Sequence, residues 1–295
     1  MTGPTSGLTS GPTGGSGSRA ERPPLPEPLP HPVVDNHCHL DVERRDLGVA
    51  ALPVAEALAQ AASVGVPRIV QIGCDLERAR RAVEIAAEHP QIVGGVALHP
   101  NEAPLVADLD AAIAELERLV TAHPRMRAVG ETGLDFFRTG EEGIAAQVES
   151  FRRHIDLAKR TDRTLVIHDR DAHEAVLGVL DDEGAPERWV MHCFSGDAAF
   201  ARACLDRGAY LSFAGTLTFK NADALREALA LTPSDRLLVE TDAPYLTPSP
   251  HRGRVNASTM VPITVRAMAE VRGADLEDLC RSLDAATEEA FGGTW

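Results

Sequence analysis

The chain of 295 residues is short of cysteine, of long apolar runs and of net positive charge, and each shortage removes a class of function. Its five cysteines, Cys38, Cys74, Cys193, Cys204 and Cys280, are odd in number and contain no C-x-x-C pair. That spacing excludes a disulfide framework or a zinc ribbon and argues against cysteine chemistry. No stretch approaches the roughly 20 apolar residues that span a bilayer, and the first residues lack the apolar centre of a secretory signal, so a cytoplasmic protein without membrane association is expected. Lys and Arg number 29 against 44 Asp and Glu, a formal charge of −15. This balance excludes a broad phosphate-tracking surface, because nonspecific nucleic-acid binding rests on clustered basic residues. Without a helix-turn-helix or zinc-finger spacing either, any nucleic acid must be gripped over a few nucleotides, with little regard for sequence. No obligate protein partner is expected.

Residues 1–32 are rich in Gly, Pro, Ser and Thr and have almost nothing to bury, which predicts a disordered tail ahead of a domain spanning 33–295. From Val33 the sequence alternates short β-branched runs with longer stretches of helical period. The strand candidates are "VVDNHCHL", "PRIVQIGC", "QIVGGVALHP", "RAVGETGLD", "TLVIHDR", "RWVMHCFSG", "AYLSFAGTL" and "RLLVETDAPY". Segments such as "LERARRAVEIAAEH" and "DLDAAIAELERLVTAH" lie between them, and a last helix follows Asp275. Eight such units predict an α/β fold, a single (β/α)8 TIM-type barrel, rather than an open doubly wound sheet.

What the chain does have is histidine and carboxylate at strand ends. In "VVDNHCHLD" an extended backbone points His37 and His39 the same way and turns Cys38 to the other side, a chelating geometry. Later apolar runs lead to His99, Glu131, His168, His192 and Asp242, and in a barrel all these ends share one rim. Singly, His168 or His192 reads as a hydrogen-bonded core histidine. Glu131 and Asp242, however, would be unpaired charges at buried strand ends, costing several kcal/mol without an ion or base to compensate them. His37, His39, Glu131, His168, His192 and Asp242 together exceed one open coordination shell, so two divalent ions bridged by Glu131 are expected. Asp242 is the candidate general base.

Phosphate also needs donors, and His99, Arg138, Ser195, Arg252 and Arg254 are the substrate-binding candidates, with Ser195 and Gly196 opening the sixth helix as an anion site. Asp35 and Glu240 are placed to orient ligands or pair with a rim arginine. The other six histidines, 31, 89, 123, 154, 173 and 251, carry no assigned chemistry.

The segments "DNHCHLD", "GVALHP", "GETGLDFFR", "IHDRDA", "HCFSG" and "ETDAPYLTP", in this order, resemble the TatD family of metal-dependent deoxyribonucleases, a branch of the amidohydrolase-like barrels. The likeness runs from about Val33 to the last helix. It implies a two-metal phosphodiesterase in which His37, His39, Glu131, His168, His192 and Asp242 hold the ions. Exonucleolytic cleavage of DNA is the leading expectation, with Mg, Mn or Zn as the metal: four imidazoles suit zinc, whereas Mg prefers oxygen. The alternative keeps barrel and metals and changes the bond to a carboxylic ester, lactone or aminoacyl-tRNA ester. A noncatalytic scaffold is a third reading, against which stands a ligand set larger than a structural site needs.

Overall fold

A computed structural model describes residues 21–295. Among them run eight strands: β1 (Val34–Cys38), β2 (Arg68–Gly73), β3 (Ile92–Val96), β4 (Met126–Asp135), β5 (Thr164–Arg170), β6 (Trp189–Met191), β7 (Tyr210–Phe213) and β8 (Leu237–Val239). They pair in parallel in sequence order within one sheet. The seam between the last strand and the first is closed just past β8, where the amide of Asp242 donates to the His37 carbonyl at 2.9 Å and that of His39 to the Ala243 carbonyl at 2.8 Å. The expected (β/α)8 barrel is therefore the observed fold. No helix among the described residues is long and apolar enough to cross a membrane.

The helices α1 (Val54–Ser63), α2 (Leu76–Glu88), α3 (Leu109–Thr121), α4 (Glu141–Thr161), α5 (His173–Glu183), α6 (Ala198–Leu205), α7 (Asp223–Leu231), α8 (Val261–Arg272) and α9 (Leu276–Ala290) follow from pattern and caps. In α3, for example, Asp108 accepts from the amide of Ala111, and Ala112, Ile113, Leu116, Leu119 and Val120 form the buried stripe.

Alternation along the strands splits the core in two. One apolar cluster takes Val34, Val70, Val93, Ala128, Val166, Val190, Tyr210 and Leu238, one residue from each strand, and only the barrel interior can bring those together. The intervening residues, among them Ile69, Ile92, Leu165 and Leu211, face the helices. Helix α9 closes the lower end: Ala286, Ala290 and Phe291 join the interior cluster, and Arg68 pairs with Asp284 and Glu288. Access to the interior is thereby left to the rim formed by the strands' carboxyl ends.

Residues 21–32 lie along the barrel, with Leu29 buried and its amide donating to the Val64 carbonyl at 3.1 Å, and with the Pro28 carbonyl accepting from Arg266 at 3.0 Å. Proline supplies the reason: a chain already restricted in φ loses little entropy when a few contacts, with Pro23 and Leu29 buried, anchor it. The rest of the expected tail, residues 1–20, lies outside the described residues.

One histidine given no chemistry supports the rim from behind. His154, on α4, is fully buried; its Nδ1 donates to the Ser150 carbonyl at 2.7 Å and its Nε2 accepts the amide of Leu98 at 3.1 Å, next to His99. Burial depresses this imidazole from 6.5 to about 4. The unfolded chain takes up the proton below 6.5, so the contribution to stability is whole above that pH and is lost as pH falls through about 4. The difference is worth roughly 3 kcal/mol. In denaturant unfolding, the advantage of the wild type over His154→Gln should therefore shrink by about that amount between pH 7 and pH 4. Parallel pH profiles for the two proteins would contradict this account.

Candidate metal centre

Glu131 sits inside β4, between Gly130 and Gly133, where the backbone packs against β5 so closely that a Cβ at 133 would strike the His168 carbonyl oxygen. Its side chain is buried, and its two oxygens face different neighbours. Oε2 lies 3.4 Å from His37 Nε2, 4.0 Å from His39 Nε2 and 3.4 Å from Cys74 Sγ. Oε1 lies 2.7 Å from His168 Nδ1, 3.0 Å from His192 Nε2 and 3.5 Å from His99 Nε2. On the Oε2 side Asp242 completes the wall, with Oδ1 3.5 Å from His39 Nε2 and 4.0 Å from His37 Nε2. All six residues expected to bind metal are thus gathered in one pocket from β1, β4, β5 and the loops after β1, β6 and β8.

A register shift in β1 between Asp35 and Cys38 positions the first pair. His37 and His39 both turn to the centre, with ring centroids 5.1 Å apart, while Cys38 is buried against Ser258 on the other side. The same shift removes Asp35 from their face. Instead of orienting a ligand, Asp35 accepts from the amide of Thr241 at 2.8 Å and from its hydroxyl at 2.6 Å, and so fixes the chain one residue before Asp242. Glu240 does orient a ligand: its Oε1 accepts from His192 Nδ1 at 2.9 Å and from the amide of Cys193 at 3.0 Å.

The outer hydrogen bonds determine which ring nitrogen faces inward with a lone pair. His39 Nδ1 donates to the Ile72 carbonyl at 3.0 Å and His192 Nδ1 to Glu240, which frees Nε2 of both rings toward the centre. His99 is arranged the opposite way. Its Nδ1 accepts the amide of Asn101 at 3.0 Å, so a neutral ring carries its proton on Nε2 and presents a donor to the pocket. In this form His99 offers a donor, although its ring also lies with Glu131 and His168 in a group whose atoms are close enough to hold an ion.

Against burial, the neighbouring carboxylates, with the Cys74 sulfur beside His39, hold His39, His168 and His192 above the usual imidazole range, so a metal would bind these three rings by displacing a proton. Burial disfavours a charged Glu131, yet His192, His99 and His168 hold its carboxyl well below the usual range. Asp242 is likewise lowered against burial, by His39, His192 and His37. Burial and the stacked ring of His192, 3.8 Å away, depress His37. It is kept neutral, the form of imidazole that binds a metal.

These residues fit a divalent cation on two grounds. Among the described residues nine buried side-chain polar atoms have no hydrogen-bond partner, and four of them belong to residues of this cluster: Nδ1 and Nε2 of His37, Nε2 of His168 and, behind His192, Oε2 of Glu240. Metal bonds of about 2.0–2.1 Å in tetrahedral geometry put neighbouring donors roughly 3.4 Å apart. The separations of 3.4, 3.5 and 4.0 Å around Glu131 Oε2 and Asp242 Oδ1 are close to that edge.

Two residues of this pocket escaped sequence reasoning. Cys74, just past β2, is a thiol donor to Glu131, and burial together with that carboxylate pushes it up to about 11. Asp135, at the end of β4, has Oδ2 3.4 Å from His168 Nε2 and 3.1 Å from Asn101 Nδ2, while its Oδ1 accepts the amides of Phe137 and Arg138. The signal for Asp135 was in "GETGLD", four residues from Glu131; for Cys74 there was none, since its neighbour lies 57 positions away.

The expected phosphate donors are placed unevenly. Arg138 is exposed in the loop after β4, and Arg252 and Arg254 lie in the loop after Asp242, where the Arg252 guanidinium covers the Phe219 ring at 4.3 Å. All three are on the rim. Ser195 is exposed in the loop after β6 but does not open a helix. Asp197 caps α6, accepting the amides of Ala199 and Phe200 at 2.9 Å, so a carboxylate already occupies the position expected to receive an anion.

Comparison with known proteins agrees with this architecture. Residues 34–292 match the family described as TatD related DNase. A Mycobacterium tuberculosis protein named as an uncharacterized metal-dependent hydrolase TatD is 47% identical over 268 residues, 89% of this chain and 99% of its own. The 3'-5' ssDNA/RNA exonuclease TatD of Citrobacter rodentium is 34% identical, over 81% of this chain and 92% of its own. Among solved structures, the TatD homologue YjjV of Escherichia coli superposes with a TM-score of 0.81 at 26% identity, covering 89% of this chain and 98% of that one. The organophosphorus hydrolase of Deinococcus radiodurans, at a TM-score of 0.60 and 14% identity over 94% of this chain and 100% of its own, shares the fold.

Proposed function

Because this chain belongs to the TatD related DNase family of metal-dependent hydrolases, we propose that it cleaves phosphodiester bonds of nucleic acid at chain ends, using two divalent cations. The observation that carries this reading is the division of Glu131: one oxygen faces His37, His39 and the Asp242 side, the other faces His168 and His192. His37, His39, Asp242 and Glu131 Oε2 would hold one ion, and His168, His192 and Glu131 Oε1 the second. When bound, the ions supply Lewis-acid charge for a phosphoryl oxygen and acidify a coordinated water.

The protein's own groups do the rest. Asp242, ionised and partly open to the rim, accepts the proton from the attacking water. His99 donates its Nε2 proton to a non-bridging phosphate oxygen, held in that tautomer by Asn101. Arg138, Arg252 and Arg254 supply positive charge from the rim of an otherwise acidic molecule, which limits the grip to a few nucleotides. The exonuclease activity named for the Citrobacter relative supports a chain end as the substrate.

Hydrolysis of a carboxylic ester or lactone is the second reading, favoured by a donor set dominated by imidazole, which suits zinc and carbonyl chemistry. Protein stripped of metal and reloaded with Mg, Mn or Zn separates the two on a panel of single- and double-stranded DNA, a small phosphodiester, esters and lactones. Metal-dependent phosphodiester turnover that chelator abolishes is the expected result. Ester turnover with untouched nucleic acid would replace the first reading by the second.

A further inference from the structure

Two aromatic residues are exposed among the described residues, Phe137 at 63% and Tyr245 at 43%, and both stand on the rim beside the metal centre. Each is tied to a carboxylate residue of that centre. The amide of Phe137 donates to Asp135 Oδ1 at 3.0 Å, and Asp135 in turn contacts His168. The amide of Tyr245 donates to the Asp242 carbonyl at 2.9 Å, and its own carbonyl accepts from the buried Asn256 side chain at 2.6 Å. The backbone at both positions is therefore held while the ring is left in water, the reverse of what burial of apolar area favours.

The two rings belong to the loops after β4 and β8. In a closed ring of eight strands these are four apart, on opposite sides of the barrel mouth. Both also carry a guanidinium: Arg170, the last residue of β5, lies over Phe137 at 3.9 Å, and Arg44 over Tyr245 at 5.5 Å. At Phe137 the guanidinium against the aromatic face leaves a flat cationic surface, suited to a planar ring joined to a phosphate, whereas at Tyr245 Arg44 is paired with Asp46 at 2.6 and 2.8 Å and the ring itself is the platform.

We propose that Phe137 and Tyr245 are paired stacking platforms for unpaired nucleobases, one on each side of the phosphodiester held at the metal centre. The proposal rests on the phosphodiesterase reading and narrows it to single strands. Bases in a duplex are already stacked on their neighbours and offer no free face without unstacking. An aromatic platform accepts any base, which gives grip without sequence preference.

The test compares binding of a short oligothymidine, an abasic strand with the same number of phosphates, and a blunt duplex, in the Asp242→Asn background where turnover is slow. The expected order places the oligothymidine first. Phe137→Leu and Tyr245→Leu, which keep apolar bulk but remove the π face, should each weaken oligothymidine binding by roughly 5- to 150-fold, toward the level of the abasic strand. Phe137→Trp should restore it. Equal binding of oligothymidine and abasic strand, preference for the duplex, or leucine variants that bind like the parent would each overturn the proposal. Wild-type turnover of a small phosphodiester lacking a nucleobase reads the hydrolase proposal by itself, so failure of the platforms is distinguishable from failure of the chemistry.

Discussion

Replacing Glu131 by glutamine is expected to lower turnover by more than about 10³-fold, equivalent to about 4 kcal/mol of transition-state stabilisation. The size follows from its position. A carboxylate whose two oxygens face two sets of imidazoles is the one group whose loss weakens both proposed ion sites at once. Glutamine keeps the shape but removes the charge and turns one oxygen into a donor, which now opposes a ring nitrogen or an ion. Metal content measured on purified protein should fall together with turnover. His192, held well above its usual range against burial by Glu240 and Glu131, should become less basic by NMR titration. Near-normal turnover with an unchanged metal content would remove Glu131 from the centre of the mechanism.

Asp242→Asn is expected to behave differently, losing about 10²–10⁴-fold in kcat with little change in KM. Asparagine retains an oxygen toward His39 and His37 but cannot take a proton, so the proposed base is lost while the pocket stands. The wild-type carboxyl is lowered by His39, His192 and His37, which keeps it ionised at neutral pH; as pH falls it is protonated, and activity falls with it. The variant should lose that acid-side dependence. A kcat within a few-fold of wild type would assign proton acceptance to another group.

Residues near one another in sequence were the easiest to read. The alternation of "VVDNHCHLD" put His37 and His39 on one side and Cys38 on the other, and the structure places them so, because a strand's pleat is a local property. Asp35, expected to orient a ligand or pair with a rim arginine, binds Thr241 instead, since a register shift inside five residues rotates the chain and no composition marks it. The sixth helix was misread for a similar reason: Ser195 precedes it, but Asp197 is the residue whose carboxylate reaches the free amides.

The sequence by itself determined the barrel and the inventory of donors, because apolar period and polar residues at the ends of apolar runs depend on neighbours only a few positions apart. Tertiary structure alone decided that Glu131 divides its oxygens, that Cys74 and Asp135 belong to the pocket, that His99 presents a proton rather than a lone pair, and that two exposed rings stand on opposite sides of the mouth. The physical reason is closure. Joining β8 to β1 brings side chains up to some 200 positions apart to within 4 Å, and no regularity along the chain encodes that distance.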